Sequence, residues 1–362
     1  MKSYIGNGSG NPTSAVNAAI RGLTNPKMIL FMTNYQDARE VASLIKEKYP
    51  NIPSIGTIGT KIANGNVGDQ NLIVLGLFDD VEVSCGLIKG LSKCPITYIS
   101  EIESNLKKVN PGKEDTVCIE YCTGKEENLI STFQICLEKK SIPLAGGSVF
   151  GVPDGKDLIV CYEGQVYEDA CVYAFIKNKT GRVKVYKENI YERRSKTAHF
   201  ATKVDVENRA LIELDGRKAS TVYSEELNIP QNQIVGNVFS NPMGRVVGDQ
   251  VFISSMKELD RNGNMINYKR INQNDCIYFL ELGDYKAIEK ETRSTIQSQM
   301  HKISLVISID CIYRYLMYQK EDYFQTYARD MSTLGPHIGV VGGGEQFNNQ
   351  HVNQTMVCAV FE

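Results

Sequence analysis

The residue types most able to do chemistry crowd toward the C-terminal end of the chain: Cys311, Arg314, the run Gly342, Gly343, Gly344, and Glu345 directly after it. A guanidinium offers a planar fork of donors that matches a carboxylate, and a glutamate accepts an ammonium. Successive glycines let backbone amides approach an anion with no Cβ in the way. Together these groups suit a zwitterion, so they predict a site for an amino-acid-like metabolite. Asn353 and Thr355 stand two apart, which on a strand puts both on one face.

A second chemistry is open to the same segment. Cys311, with His337 and Glu345 as candidate bases, has the composition of a thiol-dependent hydrolase, since a thiolate nucleophile needs a base beside it. Against this, Cys311 closes an apolar run, and the residue three further on is an arginine rather than a base. A third reading is a ligand-free interaction scaffold in which the glycines only permit close strand packing. Binding is the favoured reading; no residue is assigned as catalytic, and no metal or cofactor is expected. Cys118 and Cys122 have no second Cys or His pair nearby to complete a zinc site.

The elements that must position these residues come from a repeat. Met28 to Asn34, Asp37 to Tyr49, Ile52 to Thr60 and Leu72 to Phe78 read as apolar run, amphipathic helix, Gly-rich turn and second apolar run. The order recurs in Thr116 to Cys122, Glu126 to Lys140, Ile142 to Phe150 and Leu158 to Tyr162, with the Gly segments starting 90 residues apart (142 − 52). A looser copy runs through Ser304 to Asp310, Asp322 to Ser332, Gly335 to Glu345 and Thr355 to Phe361. The fold class that follows is α/β (α+β), with two domains of mixed β-sheet flanked by helices. Residues 1–200 hold two pseudo-repeated β-α-β-β units, and residues 201–362 end in a similar unit. Gly6 to Gly10 reads as a mobile loop before a helix capped by Thr13 or Ser14.

Bulk properties narrow the partners. Lys plus Arg is 40 against 42 for Asp plus Glu, a net charge of −2, which argues against nucleic acid. No apolar run reaches the roughly 20 residues of a membrane span. Met1 to Pro12 lacks the apolar core of a secretory signal, and the ten cysteines fit free thiols in a reducing cytoplasm.

At this point the motifs resemble a known family. Ile55-Gly56-Thr57 with Asn64-Gly65, Ala145-Gly146-Gly147-Ser148, Leu214-Asp215-Gly216 with Ala219, Cys311 with Arg314, Gly344-Glu345, and Asn353 with Thr355 are similar, in order, to the motifs of the FIST (F-box and intracellular signal transduction) domains. Thr57 departs from the cysteine common at that turn. The resemblance implies an N-terminal and a C-terminal FIST domain and a sensory protein rather than an enzyme. It adds Asp215 and Gly216 to the ligand-binding set. The 362 residues leave no output segment over, so a signalling partner protein in trans is expected.

Overall fold

The computed structural model describes residues 1–68, 70–248 and 250–362. The chain forms two compact units. The first comprises residues 1–187, 293–351 and 356–362; the second comprises 188–292 and 352–355. Neither is one consecutive stretch, so both run across the linear division at residue 200.

All three repeats lie in the first unit, and each builds one six-stranded mixed sheet. In repeat I the opening strand Met28–Thr33 leads through helix Ala38–Lys48 to a second, parallel strand Ser54–Ile58. The return strand Leu72–Leu77 lies antiparallel on the other side of the opening strand. Repeat II repeats this with Thr116–Cys122, helix Glu126–Leu137, Leu144–Ser148 and, as its return strand, Ala170–Asn178 in place of the expected Leu158 to Tyr162. Repeat III does so with Leu305–Cys311, helices Ile312–Lys320 and Phe324–Ser332, His337–Gly342 and Thr355–Phe361.

Segments read from the sequence as Gly-rich turns are therefore parallel strands. Their glycines sit where a neighbouring side chain covers the backbone. A Cβ on Gly56 would meet the Phe31 ring at 2.4 Å, one on Gly147 would meet Ile309 at 2.4 Å, and one on Gly339 would meet Ser308 Oγ at 2.3 Å.

After each second strand the chain makes a hairpin, and no hairpin joins the sheet of its own repeat. Lys61–Ala63 and Asn66–Val67 extend the sheet of repeat III; Val160–Tyr162 and Gln165–Tyr167 extend that of repeat I; Gly344–Phe347 and Gln350–Val352 extend that of repeat II. Each sheet is closed at its far edge by Ser3–Gly8, Val81–Lys89 or Val183–Asn189.

The second unit is an antiparallel sheet whose longest strands are His199–Asp205 and Cys276–Leu282. Helix Ala219–Leu227 contacts the strand Ala210–Leu214. A tight turn spans Asp260 to Asn264, with Asp260 Oδ1 accepting from the backbone N–H of Asn262 and Asn264 at 2.8 Å each.

Residues Gly6 and Gly8 are a correction. They belong to the edge strand rather than to a loop, and helix Pro12–Ala19 rests on them. A Cβ at either would fall 1.9 Å from a helix carbonyl, Ala19 O or Ala15 O. The helix is capped by Asn11, whose Oδ1 accepts from Ser14 N at 2.9 Å, not by Thr13 or Ser14. Gly8→Ala should force helix and strand apart and lower stability by about 1–3 kcal/mol, the usual range for overpacking. A melting temperature equal to that of the parent protein would contradict this docking.

Candidate functional site

The strand order of repeat III places Cys311 at the C-terminal end of its opening strand, where it caps helix Ile312–Lys320. Arg314 lies in the first turn of that helix and is wholly buried. Its guanidinium carbon sits 4.9 Å from the centres of both the Tyr318 and Tyr327 rings, and its Nε is 3.6 Å from Asp310 Oδ1. Tyr327 donates its hydroxyl to the same Asp310 oxygen at 2.8 Å. The arginine thus lies as a cation between two aromatic faces with a carboxylate beside it.

Gly342, Gly343 and Gly344 run from one sheet into the next without left-handed backbone. Gly342 pairs with Cys311, Gly343 N donates to Ser148 O at 2.8 Å, and Gly344 pairs with Ser148. A Cβ on Gly342 would stand 2.7 Å from Ser148 O. The amides take part in sheet pairing, and the run lacks the alternating curvature of an anion nest. Glu345 follows on the hairpin strand, paired with Gly147 and fully buried.

The remaining predicted residues belong to the second unit. Asn353 precedes the final strand instead of alternating along it; its Oδ1 accepts from Ser255 N at 3.2 Å. Thr355 opens that strand and is buried. Asp215 and Gly216 form a left-handed turn, with φ of 53° and 73°. Asp215 Oδ2 and Glu226 Oε2 each lie 2.6 Å from a ring nitrogen of His199. Burial opposes the charged form of Asp215, but bonds from Phe200 N and His199 outweigh it and hold the carboxyl below its usual range.

The thiol and the imidazole of the hydrolase reading are not brought together. His337 pairs with Val306 and Gly342 with Cys311, so the imidazole and the thiol belong to rows five residues apart, about 16 Å at the usual strand rise. Ser308 Oγ lies 2.9 Å from His337 Nε2, and burial lowers the imidazole to about 4, leaving it neutral.

Sequence reasoning missed three polar places. Glu120, on the opening strand of repeat II, is wholly buried with Cys171 Sγ 3.4 Å from its Oε2. Burial raises its carboxyl to about 8, partly offset by the thiol hydrogen bond. Next to it, Ser148 Oγ donates to Glu126 Oε1 at 2.7 Å and accepts from Gln346 Nε2 at 3.3 Å. Glu126, Glu127 and His351 each bring one ligand atom within 4.8 Å of the others, a spacing able to hold a metal ion. A cavity of about 690 Å³ is lined by Lys184, Tyr186, Glu138 and the hairpin tip Asn348-Asn349 with Leu137 and Ile142. A third place is Lys61, buried at 2 % exposure beside a smaller cavity.

Comparison with known families accounts for this architecture. The FIST N domain matches residues 27–217 and the FIST C domain residues 219–348. The chain belongs to the FIST family, whose domains are associated with signal-transduction sensing rather than with enzymes. No curated protein matches the chain. Among solved structures, phosphoribosylformylglycinamidine synthase II of Thermotoga maritima aligns over 99% of this chain and 72% of its own at 10% identity, with a TM-score of 0.20. That likeness carries no argument. Among the described residues no helix is long and apolar enough to cross a membrane.

Two outcomes follow from the buried charges. Arg314→Leu leaves Asp310 buried without its cation and should cost about 3–5 kcal/mol in urea unfolding; a loss near zero would show that the pair does not hold the helix. For Glu120, the folded carboxyl keeps its proton up to about pH 8, whereas the unfolded chain releases it near 4.5. Folding therefore grows less favourable as pH rises between those values and is steady above them. Glu120→Gln should melt higher than the parent at about pH 8 and equally at about pH 4, and a difference independent of pH would refute the assignment.

Proposed function

We propose that the protein is a cytoplasmic sensory module that binds an amino-acid-like metabolite and passes the bound state to a signalling partner protein. The observation that carries this reading is the cavity of about 690 Å³ in the first unit. Its volume falls in the range of small-ligand sites. Its apolar floor of Leu137, Ile142 and Val185 is rimmed by cations, Lys113 and Lys184, and by anions, Glu114 and Glu138. Lys184 Nζ donates to Gln299 Oε1 at 3.3 Å, and Tyr186 donates its hydroxyl to the same oxygen at 3.2 Å, so one amide orders both side chains. A carboxylate meets Lys184 in this reading and an ammonium meets Glu138.

The sequence-predicted set takes a supporting role at this cavity. Gly342, Gly343, Gly344 and Glu345 carry the chain into the hairpin whose tip, Asn348-Asn349, forms part of the wall. Asn348 N donates to Leu144 O at 2.9 Å and its Oδ1 accepts from Leu144 N at 3.3 Å, which fixes the tip. Arg314, Cys311, Asn353, Thr355, Asp215 and Gly216 do not line it. A sensor with no chemistry of its own signals through a state that its ligand prefers, which is why a partner is part of the proposal.

Thermal denaturation against a panel of amino acids and related metabolites tests the reading. A ligand at about 100 times its dissociation constant should stabilise by roughly 2.7 kcal/mol. Lys184→Met should abolish the gain for carboxylates, and Glu138→Gln should weaken it for amines. Absence of a shift with every zwitterion tried, or an equal shift in both variants, would reject this cavity as the site.

A further inference from the structure

A second cavity, of about 420 Å³, opens where the strands Met28–Thr33 and Ser54–Ile58 end, the usual place for ligands in a parallel sheet. Asn34, Tyr35, Thr60, Lys61 and Tyr315 line it. Lysine is among the residues least often fully buried, yet Lys61 is 2 % exposed. Its Nζ donates to Asn34 Oδ1 at 2.5 Å and to Gly59 O at 3.3 Å. Asn34 is held in turn, its Nδ2 lying 3.4 Å from Asp37 Oδ2, which also accepts from Asn71 Nδ2 at 3.3 Å.

The valence of the amine gives this arrangement a consequence. A neutral amine has two N–H bonds and one lone pair. Two acceptors and the Cε bond occupy three of the four tetrahedral directions at Nζ, which leaves the lone pair to the fourth. We propose that Lys61 captures a small polar carbonyl compound, an aldehyde or a 2-oxo acid, from this cavity as a reversible imine. The nitrogen lone pair adds to the carbonyl carbon while the π pair moves to oxygen, which takes a proton. Loss of that oxygen as water, with the remaining N–H proton, forms the C=N bond. One water is released and no oxidant or reductant enters.

The surroundings favour the neutral amine. Burial lowers Lys61 from 10.5 to about 8, and the Asp37 carboxylate opposes this without cancelling it. Tyr35 and Tyr315 are the other titratable groups on the cavity wall. Near neutral pH the neutral fraction is then roughly two orders of magnitude above that of an ordinary lysine. No acidic side chain lines the cavity among the described residues, while Asn34, Gln36 and Thr60 offer donors for a polar or carboxylate tail. This site is separate from the larger cavity and stands or falls without it.

Reductive trapping tests the proposal. The protein is incubated with glyoxylate and cyanoborohydride, and the carboxymethylated lysines are located by peptide mass mapping. Lys61 should label at least about tenfold faster than the mean of the surface lysines at neutral pH, with a rate that rises to a midpoint near 8. Lys61→Arg, which retains a cation but cannot form an imine, should lose that fast label. Labelling of Lys61 no faster than its neighbours, or a rate that climbs only toward pH 10.5, would overturn it in the parent protein whether or not the variant folds.

Discussion

The exchange of hairpins is the constraint on which the first unit depends. The outer edge of each second strand exposes a row of N–H and C=O groups, and a buried edge of that kind must be paired. Repeat I supplies the missing strands to repeat III, repeat II to repeat I, and repeat III to repeat II. No repeat can complete its own sheet, so the three form one cooperative body rather than a row of independent modules. A linear array would hold terminal repeats by one neighbour only; here every sheet is finished by another repeat.

This exchange also accounts for the positions of the glycines. A hairpin that leaves its own sheet must pass close to the backbone of the next. Gly59, with φ of 147°, would put a Cβ 2.6 Å from Val341 O, and Gly342 would put one 2.7 Å from Ser148 O. Such crossings look in the sequence like phosphate or anion loops, because both need backbone without side chains. The amides themselves decide between the two, and at Gly343 and Gly344 they are engaged with Ser148.

The repeat was legible because helix periodicity and apolar runs are local. Helices Ala38–Lys48 and Glu126–Leu137 fall within the segments read from the sequence. The mixed α/β class and the FIST resemblance were legible for the same reason. What the sequence could not disclose is partner choice, because a hairpin carries no local mark of which sheet will receive it. Arg314 illustrates the limit: its pattern suggested a ligand clamp, but Tyr318 and Tyr327, which enclose it, are four and thirteen residues away and carry no signal of convergence. Lys61 carries no local signal of its burial, because lysine is among the residues least often fully buried.

Registers across the three sheets show how one frame hosts different chemistry. Phe31 pairs with Gly56 and Gly56 with Cys161; Glu120 pairs with Gly146 and Gly146 with Gln346; Ser308 pairs with Gly339 and Gly339 with Ile62. These are the same row in sheets I, II and III, two places after the start of each parallel pair. In sheet I the row is closed by a ring lying over a glycine, and in sheet II a carboxyl takes the place of that ring, 2.0 Å from where a Gly146 Cβ would be. The raised proton affinity of Glu120 therefore has a topological origin: it occupies a core position that its counterpart fills with phenylalanine. Ile62 occupies the hairpin place that cysteine holds in sheet I and glutamine in sheet II, and Lys61 stands one place before it, where burial lowers the proton affinity of its amine. Aligning the copies by their second strands brings Phe31, Glu120 and Ser308 into register, three different side chains over one shared glycine. A repeat whose packing is already secured by two sister copies can carry an ionisable group in its core at a cost the others absorb, which makes the mismatched rows, rather than the shared glycines, the places where function is to be sought.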